Sequence, residues 1–181
     1  MKVYKCNIWD FIGSVDVICI TTNGFIKSNG HGVMGAGIAL EANNRFPNIC
    51  KTLGNHLTNY GNTPGYLSKG DRTEIYSFPT KRDVYDRIIE DPLKFPGFAN
   101  SKIEYRFKEN KVIPGWALKS ELWLIKQSAE IIMNYANTGN WKSVLLPKPG
   151  CNNGGLLWSE VEPILDNILD RRFFIVTKRG D

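Results

Sequence analysis

Only four of the 181 residues are cysteine and only two are histidine. Cys6, Cys19, Cys50 and Cys151 never stand as CxxC, and no His/Cys group has the spacing of metal ligands. Neither a metal site nor a disulfide framework is therefore expected. Reduced thiols in a cytoplasm are the expectation, the host's were the chain viral. Long apolar runs are missing too. The start, "MKVYKCNIWDF", lacks the apolar core of a signal peptide, and "VDVICI" is far too short to cross a bilayer, so no membrane partner is expected. Charge of one sign is not concentrated. The net charge is +5, but basic and acidic residues are interleaved and form no basic run. Direct nucleic-acid binding then rests on diffuse charge alone, and it would weaken steeply with salt. There is no repeat, low-complexity tract or linker. What remains is an ordinary globular composition, 42% hydrophobic, enough for one domain with a real core.

The chain alternates between two periodicities. "KVYKCNI" (2–8), "DVICITT" (16–22), "TEIYSFPT" (73–80), "SVLLPK" (143–148) and "RFFIVTK" (172–178) read as strands, the second a β-branched run suited to burial on both faces. Pro79 is expected to stop the third. Helical spacing predicts helices over 33–46, over 48–60 with an interruption at Gly54, over 118–136, and over 158–169. Ser159 with Glu162 three residues on reads as the capping box of the last. Residues 83–118 hold three prolines and several aromatics without clean periodicity. They read as an insertion with structure of its own, in which Phe95, Phe98 and Trp116 either stack on a base or, the favoured reading, pack as a small satellite core. Strands alternating with helices give an α/β class with a largely parallel sheet.

Two glycine-rich loops follow strands and lead into helices: "NGHGVMGAG" (29–37) and "GCNNGG" (150–155). In an α/β sheet ligands bind beyond the carboxyl ends of strands. Backbone N–H groups and a helix N-terminus there favour negative charge, so two such loops can hold two linked phosphates without a lysine. The plain alternative is turns and helix caps. The stretch contains GxGxxG, but seven residues separate Thr22 from Gly30 and no second strand follows the helix, which argues against a Rossmann turn. A P-loop is excluded because GxxxxGK[ST] is absent.

"TTNGFIKSNGHGVMGAGIALEANNRFP" together with "LLPKPGCNNGGLLWSEV" resembles the macro domain family, over roughly 2–80 and 118–178. The branches it is most similar to are the terminal ADP-ribose glycohydrolase and the bacterial antitoxin that removes ADP-ribose from DNA. The resemblance implies one macro domain spanning 1–181 with an insertion at about 83–118. Its fold would be a three-layer α/β/α sandwich with a mixed, largely parallel sheet. It further implies ADP-ribose, or an ADP-ribosyl conjugate, as ligand, with no cofactor and no metal. Nucleic acid would enter only as an ADP-ribosylated substrate, and the protein is expected to be a monomer. By the same resemblance Asn7 accepts from the adenine amino group and Ile8 lies beside the base. Asn23 faces the distal ribose. Gly32, Val33, Met34, Gly35, Ala36, Gly37 and Ile38 form the first phosphate loop, and Gly150, Cys151, Asn152, Asn153, Gly154 and Gly155 the second, with Cys151 as a small packing residue.

The same two branches carry a lysine in a TK context that attacks, or helps to open, the anomeric carbon of the distal ribose. Lys81 in "FPTKRD" falls there. A lysine nucleophile must lose its proton, through burial or a neighbouring cation, for which Arg82 is the candidate. One branch also uses an aspartate in the second loop, where this chain has Gly154, so Asp83 and Asp86 stand as replacements. His31, inside the first loop, is a second candidate acid–base group. His56 reads as structural or exposed. The functions this leaves open are a hydrolase that removes ADP-ribose from a conjugate or phosphate from ADP-ribose 1″-phosphate, a non-catalytic ADP-ribose reader, and a nucleic-acid partner.

Overall fold

A computed structural model describes residues 2–178. Its strands are β1 (Lys2–Lys5), β2 (Val17–Asn23), β3 (Tyr66–Gly70), β4 (Thr73–Lys81), β5 (Val84–Asp86), β6 (Val112–Pro114), β7 (Val144–Pro147) and β8 (Phe173–Thr177). Its α-helices are α1 (Gly37–Arg45), α2 (Ile49–Tyr60), α3 (Ser101–Phe107), α4 (Leu122–Thr138) and α5 (Trp158–Ile168). Six strands form the main sheet in the order β1-β8-β7-β2-β4-β3. All pairs are parallel except β3–β4, so the expected mixed, largely parallel sheet is present.

The period-two alternation of a strand divides the core. Ile18, Ile20, Ile75, Leu145 and Val176 face one side and meet Ala39, Ala42, Phe46, Ile49, Leu53 and Leu57 of α1, α2 and the turn between them. Val17, Cys19, Phe78, Val144, Leu146, Phe173 and Ile175 face the other and meet Ile125, Ala129 and Ile132 of α4 and Val161 and Leu165 of α5. Each fully buried Ile or Leu contributes about 1.5–3 kcal/mol by leaving water. Helices on both faces of one sheet make the three-layer sandwich.

Four local expectations change. The first helix begins at Gly37 rather than residue 33, because Met34 is drawn into the core and Ala36 is extended. The helix over 49–60 runs straight through Gly54. That glycine allows a close approach, since a Cβ there would collide with the Gly30 carbonyl. Gly54→Ala is expected to lose about 1–3 kcal/mol or more, read by denaturant unfolding, because backbone rather than a flexible side chain must move. Pro79 lies inside β4, opposite Thr22 of β2. Ser77 N–H donates to Gly65 at the start of the β3 edge, and residue 79 faces the same way one step beyond, where no β3 partner waits for an N–H. Finally, α5 starts at Trp158, and Glu160, not Ser159 with Glu162, caps it by accepting the Leu157 N–H at 2.7 Å. A charged acceptor at the third helical position outcompetes the hydroxyl.

Residues 84–118 do build structure of their own. Strands β5 and β6 pair antiparallel, α3 is capped by the Asn100 side chain, and Tyr85, Phe107, Ile113, Ala117 and Leu118 form a small core. Phe95, Phe98 and Trp116 pack on that core, as their aromatic character predicts. No helix among the described residues is long and apolar enough to cross a membrane.

Candidate functional site

Because β2, β4 and β7 are parallel neighbours, their carboxyl ends open on one edge of the sheet, and both glycine loops rise there. A register shift at the end of β2 sets Asn23 opposite Lys81. Gly24 lets the two strand ends close, since its N–H donates to the Lys81 and Arg82 carbonyls and a Cβ would press on Asn62 and the Asp83 nitrogen.

The first loop divides by role. Gly32 donates its N–H to the Cys50 carbonyl at 2.9 Å and has no room for a side chain against Leu53. Met34 is core, and Val33 and Ile38 are half-buried. Gly35, Ala36 and Gly37 are the exposed crest. The α1 N-cap is Ala36, which supplies no side-chain hydrogen bond, and Gly37 has φ +53°. The first N–H groups of this nine-residue helix thus point outward without a side-chain cap, as an anion site requires.

The second loop needs positive φ at Gly150 (+76°), Asn152 (+54°) and Gly155 (+74°), hence its composition. Asn153 turns its amide toward Gly37, with Nδ2 3.3 Å from where a Cβ would stand, so the loops face each other. Cys151 is half-buried, its thiol pushed up by burial, and packs on the α4–α5 side of the core. Ser120 lies behind the loop and donates its N–H to the Gly154 carbonyl at 2.8 Å. A Cβ at position 154 would strike the Ser120 hydroxyl and sit 3.1 Å from its Cβ. An acid at this position would therefore require Ser120 to shift. Gly154→Asp is expected to cost about 1–3 kcal/mol in a thermal melt, and Ser120→Gly in the same chain to restore most of it.

Lys81 connects these parts. Its Nζ donates to the Asn153 carbonyl of the second loop at 2.9 Å and to the Trp116 carbonyl at 3.2 Å. Burial lowers its pKa to about 8. Arg82 is not the cause. It points into two carboxylates instead, with Nε and Nη2 2.7 Å from Glu121 and Nη1 2.5 Å from Glu90. Those partners hold the guanidinium above its usual range. Lys81, the second loop and, through Asn153, the N-terminus of α1 are thus gathered at one edge of the sheet.

The remaining candidates are placed less directly. Asn7 is exposed, but its Oδ1 accepts the Trp9 N–H at 3.3 Å and its Nδ2 donates to Asp10 at 3.1 Å, capping a 3-10 turn over Ile8–Phe11. Ile8 puts its side chain into the core. The Asn23 amide donates to the Val33 carbonyl at 3.1 Å and accepts from the Phe25 N–H at 3.0 Å, which fixes the first loop. His31 lies in a turn where Lys27 N–H meets the His31 carbonyl and Gly32 is held on α2. No hydrogen bond among the described residues joins its ring to Lys81 or the second loop. His56 bonds the Thr63 carbonyl at 2.8 Å, a structural role. Asp83 and Asp86 each accept a local backbone N–H, from Val84 and Ile88.

Four participants escape sequence reading. Ser120, Glu121, Asn62 and the Trp116 carbonyl act through tertiary contacts, Asn62 by donating to the Lys81 carbonyl at 2.9 Å. Glu121 falls inside the helix expected over 118–136, whereas α4 begins at Leu122 and leaves Glu121 just before it. No cluster of His, Cys, Asp or Glu able to hold a metal occurs among the described residues.

No family model and no curated protein matches this sequence. Solved structures do. The macrodomain of Mycobacterium tuberculosis DarG is 19% identical with a TM-score of 0.64, covering 98% of both chains. The macrodomain of Thermus aquaticus DarG is 18% identical with a TM-score of 0.66, covering 99% of this chain and 97% of that one. Thermosipho africanus DarTG, solved in complex with ADP-ribose, is 20% identical with a TM-score of 0.59, covering 90% of this chain and 38% of that one. With its three layers, its strand order and its paired glycine loops at one sheet edge, the chain has the macrodomain fold.

Proposed function

We propose that this protein binds ADP-ribose across the two glycine loops and releases it from a conjugate with Lys81 as nucleophile. One observation carries the reading. Lys81, lowered to about 8 by burial, reaches from the end of β4 to the second loop while the first loop faces that loop from α1. The diphosphate would lie between the N–H groups of 35–38 and those of Gly150, Asn152 and Asn153, since the N–H groups of Cys151, Gly154 and Gly155 already donate to backbone carbonyls. The Thermosipho africanus neighbour with bound ADP-ribose supports this ligand.

The chemistry follows from a neutral amine. The Nζ lone pair forms a bond to the anomeric carbon of the distal ribose. The bond from that carbon to the conjugated group breaks, and its electron pair leaves with the group. The alkylated nitrogen then sheds a proton, and the leaving group takes one, so no separate acid is needed at Gly154. Water afterwards releases the sugar and regenerates the lysine. The conjugated group can be a protein side chain, a nucleic-acid base or, for ADP-ribose 1″-phosphate, inorganic phosphate. His31 is the second candidate acid–base group. A non-catalytic reader is the alternative, favoured by one fact: among the described residues the Lys81 ammonium is bonded to two carbonyls and to no carboxylate.

The test is release of free ADP-ribose from a panel of ADP-ribosylated protein, ADP-ribosylated single-stranded DNA and ADP-ribose 1″-phosphate. Turnover of one conjugate that disappears in Lys81→Ala with ADP-ribose binding retained is expected. Binding without turnover of any conjugate would leave the reader.

A further inference from the structure

A second concave surface shares no residue with the two loops. Helices α2 and α4 with strands β3 and β4 enclose a depression of about 520 Å³. His56, Tyr60, Gly65, Tyr66, Tyr76 and Tyr135 line it. Tyr66 stands edge-on to Tyr76, with centroids 5.9 Å apart at 82°, and Tyr135 tilts 55° against Tyr76 at 6.1 Å. The pair nearest to parallel, His56 and Tyr60 at 31°, is 5.3 Å apart and already in mutual contact. These rings make a box with inclined walls and leave no parallel slot for a flat base. Tyr60 is 72% exposed and Tyr66 47% exposed, so the fold leaves these two rings largely in water.

The lining has no lysine or arginine to meet a phosphate. His56 Nε2 lies 2.8 Å from the Thr63 carbonyl, which can only accept, so Nε2 carries a proton there. Gly65 keeps the box open beside this ring, since a Cβ there would collide with it. Burial, and then the Glu74 carboxylate, push the Tyr76 phenol up to about 12. Ring faces and the nearby Glu74 carboxylate, with no lysine or arginine in the lining, favour a cation.

We propose that this tyrosine box binds a methylated ammonium group, carried by a choline-type small molecule or a methylated lysine side chain. The ring faces attract a cation through their quadrupoles. Methyl groups match the inclined apolar walls, and a methylated ammonium gives up its hydration more readily than a bare one, which bonds water strongly. A nucleotide would bring an anion to a surface without a cation.

The test is an NMR titration of the whole protein with tetramethylammonium chloride, read on tyrosine ring signals and on the probe's methyl protons, against sodium chloride at equal ionic strength. Saturable shifts of Tyr60, Tyr66, Tyr76 and Tyr135 are expected, with the methyl protons moving upfield. tert-Butanol, the neutral analogue, should bind about tenfold or more weakly. Tyr66→Leu and Tyr60→Leu change exposed rings, so each should keep the melting temperature and lose the response. Choline and a trimethyllysine peptide then tell the two sources apart, and tighter binding of either supports the assignment. No saturable shift, equal binding of tert-butanol, or tighter binding of adenosine than of tetramethylammonium would overturn it.

Discussion

Lys81→Met is expected to abolish release of ADP-ribose and, at the same time, to stabilise the protein at neutral pH. Methionine keeps the length of the side chain and removes a charge that burial disfavours. The sign follows from linkage. In the folded protein Lys81 has a pKa of about 8, below its ordinary 10.5. Between those values the unfolded chain holds the extra proton, so wild-type stability rises with pH across that window. Below about pH 8 the burial penalty is fully present, and above about 10.5 it is gone. Removing it is worth about 3 kcal/mol, offset by losing the two hydrogen bonds to Asn153 and Trp116 at about 0.5–1 kcal/mol each. A net gain of about 1–2 kcal/mol at pH 7 results, shrinking as pH approaches 10. Denaturant unfolding of both proteins at pH 7 and pH 10 checks it. A variant less stable than wild type at both values would mean that the two carbonyl contacts outweigh the buried charge.

The neighbouring residue should behave oppositely. Arg82→Ala is expected to destabilise by about 3–5 kcal/mol, because it strands a buried carboxylate. Glu121 is only 8% exposed and accepts two bonds from the guanidinium and a third from Trp123 Nε1 at 2.7 Å. Arg82 also holds Glu90, and so ties residues 84–118 to the start of α4. Amide exchange should therefore quicken across 84–118 more than in β2 or β7. Arg82→Lys should recover less than half of the loss, since an ammonium cannot match two carboxylate oxygens side by side. Uniform exchange in all regions, or a loss below about 1 kcal/mol, would show the cluster to be an ordinary surface pair.

These two residues also mark what the sequence makes legible. Strand β2 is readable because burial on both faces demands the continuous β-branched run "VICITT", and α4 and α5 because their apolar residues recur at helical spacing. The glycine loops are readable because positive φ and close approach leave few alternatives to glycine. Lys81 is singled out only by resemblance to a family motif, and it stands at the end of β4. What Arg82 does is not readable, because Glu121 is far away in sequence and only the fold brings it near. The limits at Gly54, Pro79 and Gly154 have the same origin. Local rules see a helix breaker, a strand stop and a missing acid, whereas tertiary contacts show a close approach, an unpaired edge and a serine in the way. Asn7, Asn23 and Ile8 show the converse. Their side chains already cap a turn, pin a loop and fill the core, which family matching alone does not reveal.

The central claim is that two facing loops and Lys81 form one site for ADP-ribose. Calorimetric titration with ADP-ribose, beside AMP and NAD, tests it most directly. The account predicts saturable binding of ADP-ribose near one equivalent, with NAD and AMP much weaker, because we propose that the distal ribose enters beside Lys81, whose Nζ bonds the Asn153 and Trp116 carbonyls. Absence of heat, with a melting temperature that ADP-ribose does not move, would contradict it and leave the loops as turns on a macrodomain fold.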